Sequence, residues 1–223
     1  MNYIVLILSV LIGIVIVFGL KPSTKTVQLL LAFSGAYLLS ITILHLFPEV
    51  YNSTNPSIGL FILLGLLFQL ILDFFSKGAE HGHIHFQENG AFPWALFISI
   101  SLHAFMEGIP LAHNHNHDHL LWAIVIHKIP IAIILGTFFV RSTISKNYAI
   151  LFLVIFSLMS PLGSLAGENI SFLIAYKTQI TAIIIGIFLH ISTIILFETS
   201  KDHKFNLLKF TAILIGMFVA YLA

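Results

Sequence analysis

His103-Ala-Phe-Met-Glu107-Gly-Ile-Pro110-Leu-Ala112 decides how this chain folds. The stretch closes a long apolar segment, residues 92–112, yet it carries an imidazole and a carboxylate. His103 and Glu107 stand four residues apart. On a helix that spacing puts both on one face, about 6 Å apart at Cβ. A charge near the centre of a bilayer costs roughly 3 kcal/mol or more, so an intramembrane Glu marks a functional site by default. A structural hydrogen bond between helices would account for one isolated polar residue. It accounts less well for His-x-x-x-Glu followed by Gly and Pro.

The 223 residues are 58% hydrophobic and 9% charged, with a mean hydropathy of +1.03. Soluble domains carry about 25% charged residues. The chain therefore reads as an all-α, polytopic membrane protein with the bilayer as its solvent. A formal net charge of +1 leaves no footprint for nucleic acid. The absence of cysteine excludes disulfides and thiolate metal sites. Twelve histidines are many for this length. His45, His103, His127 and His190 fall within apolar segments, and most of the others fall in two clusters.

A transmembrane helix needs about 20 apolar residues. Eight such segments are expected, at 3–20, 27–48, 57–76, 92–112, 119–140, 148–166, 178–198 and 205–222, forming one transporter-like domain over 1–223. The first lacks a basic n-region and does not read as a signal peptide. Lys21, Lys25, Lys77, Arg141, Lys146, Lys201, Lys204 and Lys209 cluster in alternate loops or beside them. The positive-inside rule then puts both termini on the extracytoplasmic side of the cell membrane. His81, His83 and His85 fall in a cytoplasmic loop, about 77–91. His113, His115, His117 and His119 fall in an outer loop, about 113–119. Both tracts suit weak metal capture.

Segments 2 and 7 share a faint likeness, GAYLLSITI from Gly35 and GIFLHISTI from Gly186, and each runs on to a Glu, Glu49 or Glu198. Inverted repeats around a midplane site mark many transporters. Here the repeat would pair segments 1–3 with 6–8 around segments 4 and 5.

Segment 5 carries His127-Lys128-Ile-Pro130. A short loop makes segments 4 and 5 expected antiparallel neighbours, so His103, Glu107 and His127 could converge on one cation near the midplane. Two imidazoles and a carboxylate suit Zn²⁺, and Fe²⁺ or Mn²⁺ less selectively. Pro110 and Pro130 each leave a backbone carbonyl without its helical partner beside a candidate ligand.

His103-Ala-Phe-Met-Glu107-Gly108 and His127-Lys128-Ile-Pro130 resemble the two central motifs of the ZIP divalent-metal transporters. His45-Leu-Phe-Pro48-Glu49 is similar to that family's HxxPE, and Pro161-Leu-Gly163-x-x-x-Gly167 to its sixth-helix motif. The resemblance implies a transporter that moves Zn²⁺ toward the cytoplasm, with Fe²⁺, Mn²⁺ or Cd²⁺ as further cargoes and no organic cofactor. Many of these transporters hold two metals. Here Ala104, Lys128 and Ile131 replace three residues of the second position. The resemblance thus implies one metal on His103, Glu107 and His127, with the Lys128 ammonium in the second position near Glu107. His45, Glu49, Ser99 and His190 are candidates for the pathway. Asp73 and Lys77 read as an ordinary ion pair. Ser160, Gly163, Ser164 and Gly167 read as small residues for helix packing. A homodimer stays open. The rival from another class is an intramembrane zinc hydrolase, with Glu107 activating water; the absence of HExxH speaks against it.

Overall fold

The computed structural model describes residues 2–53, 55–76, 94–113, 118–142, 144–197 and 206–223. All described elements are helical. They are α1 (Asn2–Leu20), α2 (Thr24–Tyr51), α3 (Ile58–Ser76), α4 (Trp94–Gly108), α5 (Asp118–Arg141), α6 (Lys146–Asn169), α7 (Lys177–Phe197) and α8 (Leu207–Leu222). A short helix, Ser171–Ala175, joins α6 to α7. Seven of the eight are long and apolar enough to cross a membrane, while α8 is apolar but has only 16 residues. The protein is a multi-pass membrane protein, in which large apolar side chains such as Ile4, Val15, Phe74 and Phe218 face outward.

Local chemistry sets the helix ends. Ser23 caps α2 by accepting from the Thr26 amide at 3.2 Å, and Asn206 caps α8 by accepting from Lys209 at 3.2 Å. Lys21, with φ 45°, ends α1 in the left-handed conformation, and Pro22 follows. Lys209 donates to the Leu196 carbonyl at 2.7 Å, which places a cation on the last turn of α7.

Two helices depart from the sequence expectation. α2 is not uniform: Thr42–Leu46 forms a π-turn, with the Phe47 amide bonded to the Thr42 carbonyl. Pro48 explains it, since its ring would clash with the carbonyl four residues back and it has no N–H to donate. α4 stops being α-helical at Gly108 and continues as a 3₁₀ turn, Ile109–His113, that contains Pro110.

The packing repeats itself. α3 lies along α7 and α8 along α2; α1 lies along α5 and α4 along α6. Exchanging helices 1–3 for 6–8, and 4 for 5, converts each pairing into the other, as an inverted repeat requires. The repeat is imperfect, because α3 also packs on α4 whereas α8 has no matching contact of that extent with α5. The short α4–α5 connection does not make those helices backbone neighbours. α5 packs on α1 and α2, α4 on α6 and α3, and side chains bridge the space between α4 and α5.

Glycine makes these pairings close. A Cβ on Gly65 would overlap the Ile183 carbonyl of α7, and one on Gly186 the Ile62 carbonyl of α3. Gly108 and Gly163 do the same for α4 and α6, against the Ser160 and Phe105 carbonyls. Backbone cannot yield as a side-chain tip can. Gly65→Ala is therefore expected to cost at least the roughly 1–3 kcal/mol of ordinary overpacking. Gly19→Ala, which meets nothing within 4 Å, should stay within about 0.5 kcal/mol of the parent. Thermal unfolding of both variants in one detergent checks the contrast.

Candidate metal site

α4 carries His103 and Glu107 on one face, and α5 carries His127 and Lys128. All four are at most 2% exposed. His103 lies nine residues into α4 and His127 nine residues into α5. At 1.5 Å per residue each is about 14 Å from its helix start, near the middle of a hydrocarbon core about 30 Å thick.

The two oxygens of Glu107 have different surroundings. Oε1 accepts from Lys128 Nζ at 2.6 Å and lies 2.7 Å from Ser160 Oγ. Oε2 faces His103 Nε2 at 3.5 Å. Lys128 also donates to the Ser160 hydroxyl, and its ammonium lies over the Phe156 ring, 4.8 Å from the centroid. The Ser160 hydroxyl is 2.8 Å from the Ala104 carbonyl as well. It has one proton, so it accepts from Lys128 and donates to either Glu107 or Ala104. The buried ammonium thus has a carboxylate, a hydroxyl and an aromatic face around it, the company a desolvated charge requires.

The His103 and His127 rings are 6.2 Å apart and nearly perpendicular, at 86°. Among the described residues no three His, Cys, Asp or Glu side chains form a group ready to hold a metal ion. The expected three-ligand convergence is therefore partial. Zinc bonds of about 2.1 Å at tetrahedral angles put neighbouring donor atoms about 3.4 Å apart. His103 Nε2 and Glu107 Oε2 are already at that spacing, and the His127 ring lies 6.2 Å from that of His103.

The other expected residues divide into separate places. Ser99 is buried one turn before His103. His45 sits on the π-turn of α2, its ring stacked on His119 of α5 at 4.8 Å. Glu49 faces Lys177 at 3.8 Å across the α2–α7 contact. His190 of α7 faces Asp73 of α3 at 3.8 Å. The expected Asp73–Lys77 pair lies outside the described residues on its Lys77 side, as do His81, His83, His85, His115 and His117; the side chain of His113 does too. Ser160 is the site residue that sequence reasoning missed. It looked like one more small packing residue, and the available signal was its place beside Pro161 in the sixth-helix motif.

Residues 77–223 match the family model described as the ZIP zinc transporter. The chain belongs to that family. The match takes in α4 to α8, and so every residue of the Glu107–Lys128–Ser160 cluster. Similar ZIP-named proteins include zinc transporter ZIP1 of Danio rerio, 32% identical over 38% of this chain and 29% of its own length. Zinc transporter ZIP1 of Takifugu rubripes is 30% identical over 41% of this chain and 32% of its own. Protein zntD of Dictyostelium discoideum is 29% identical over 63% of this chain and 24% of its own. The chain thus spans about a quarter to a third of the length of these relatives.

In this ZIP chain the Lys128–Glu107 pair has a distinct energetic signature. Removing one partner of a buried ion pair costs about 3–5 kcal/mol, because the other charge stays buried. Lys128→Met should lose stability on that scale. Lys128→Met combined with Glu107→Gln should recover most of it. Ser160→Ala should cost about 1–3 kcal/mol, for an acceptor lost beside the ammonium. A double-mutant cycle of thermal unfolding reads all three.

Proposed function

We propose that this chain carries Zn²⁺ across the membrane toward the cytoplasm through a single midplane site made by His103, Glu107 and His127. Fe²⁺, Mn²⁺ and Cd²⁺ are further cargoes compatible with the same donors. The observation that carries this reading is the division of Glu107. Oε1 is taken by Lys128 and Ser160, and Oε2 stands 3.5 Å from His103 Nε2. One oxygen is thereby left for one ion, and the tethered ammonium supplies the positive charge that a second ion would bring. Two dications beside one carboxylate would repel strongly at low dielectric.

The cargo completes the site. It takes His103 and Glu107 first, and the His127 ring closes on it from α5. The positive-inside distribution of Lys and Arg supports both termini lying outside, with the HNHNHDH tract collecting ions on the outer face and EHGHIH accepting them on the inner. His45 and His119, stacked at the α2–α5 contact, belong to the outer approach in this orientation. Release inward follows rocking of the paired repeats against one another. A hydrolytic role suits the same geometry poorly, since a carboxylate already holding an ammonium and a hydroxyl is a weak general base for water.

His103→Ala and Glu107→Ala should each reduce zinc uptake into reconstituted vesicles to near background while folded protein remains in the membrane. Wild-type uptake in either would remove the site from the transport path. Replacing His113, His115, His117 and His119 together by Ser should raise the apparent KM for zinc and leave maximal flux largely intact. Loss of maximal flux at saturating zinc would put one of these four histidines among the translocating ligands.

A further inference from the structure

A cleft of about 530 Å³ opens between α1, α5 and α6, and none of the proposed metal ligands lines it. Its size falls within the range of small-ligand sites, about 300–1,000 Å³. Val10, Gly136, Phe139, Leu153 and Ser157 form its buried floor. The two serine hydroxyls that line it make no polar demand. Ser157 donates to the Val154 carbonyl at 2.7 Å and Ser142 to the Phe139 carbonyl at 3.0 Å. The wall is therefore apolar, and Lys146 supplies the charged group at its mouth. Lys146 is exposed and forms no ion pair among the described residues.

We infer that this cleft holds one acyl chain of an anionic phospholipid, with the lipid phosphate at Lys146. Three observations select that occupant. The walls belong to membrane-spanning helices, so the medium at the opening is lipid. From Lys146 to Ser157 the cleft follows α6 for eleven residues, about 16 Å, which is the depth of one leaflet of a core about 30 Å thick. The charged end of the cleft is also the interfacial end, where Tyr148 on α6 and Trp94 on α4 are exposed, as aromatic residues at the headgroup level are. An apolar tail with a negative head therefore meets an apolar groove with a positive mouth. The floor adjoins the ion site, because Ser157 follows Phe156, whose ring covers the Lys128 ammonium.

The test is lipid retention by the purified full chain in native mass spectrometry. The probes are phosphatidylglycerol and phosphatidylcholine with identical acyl chains. The parent should retain one phosphatidylglycerol in about fivefold preference, the weight of one lysine at an anionic surface. Lys146→Glu should abolish the preference, while Lys25→Glu, an exposed lysine on α2, should leave it intact. Ala149→Trp, which fills the cleft, should lower retention of both lipids. Val154→Trp on the exposed wall serves the same purpose if the first variant does not fold. Equal retention of the two lipids by the parent overturns the inference. So does a preference that survives Lys146→Glu, an equal effect of Lys25→Glu, or unchanged retention in a folded cleft-filling variant. No metal enters the measurement, so its outcome is independent of the cargo.

Discussion

A lysine and a glutamate buried together in the middle of a membrane protein constrain everything near them. Lys128 and Glu107 are at most 2% exposed, and charges so buried need partners in the protein. The pair crosses a space that the backbones of α4 and α5 leave open, and it recruits Ser160 from α6 and the Phe156 ring. Two helix pairs, α4 with α6 and α5 with α1, are thereby joined by charge at their centre. The same contact orients Glu107, so that its free oxygen turns toward His103. Position and electrostatics come from one interaction.

Around that centre the bundle is held by close contacts between backbones. Glycines on α3, α4, α6 and α7 let carbonyl groups approach where any side chain would intervene. In lipid, helix association gains from such close van der Waals packing, since no hydrophobic force separates tail from side chain. Contacts of this kind favour units that move as wholes. α3 with α7 and α8 with α2 are such units, and they repeat each other across the molecule. The His190–Asp73 pair lies within the α3–α7 unit, and the Glu49–Lys177 pair joins α2 of one unit to α7 of the other.

Much of this was legible in the sequence, because helical spacing is local. His103 and Glu107 share a face whatever else the chain does, and Lys128 lies too deep in its span to reach the surface. Apolar length located the helices to within a few residues. What escaped reading was what depends on which helices touch. Ser160 in an apolar segment looks like a packing residue until α6 is laid on α4, where its hydroxyl reaches Glu107. A short α4–α5 loop suggested backbone neighbours, yet loop length limits only the distance between helix ends. That α7 brings His190 to Asp73 could not be read from the spacing along α3. The stacking of His45 on His119 depends likewise on the α2–α5 crossing.

The π-turn of α2 has a consequence for comparing this chain with others. A π-turn acts as one residue inserted into an α-helix, and each residue of an α-helix advances the chain by about 100°. Residues after Leu46 are therefore out of angular phase with those before Thr42 by that amount, although the count runs on unbroken. A relative whose second helix is α-helical throughout matches this one only if a one-residue gap is opened between positions 41 and 47. An ungapped alignment would set its C-terminal half against the wrong face of this helix, and would score His45 and Glu49 against residues that point elsewhere.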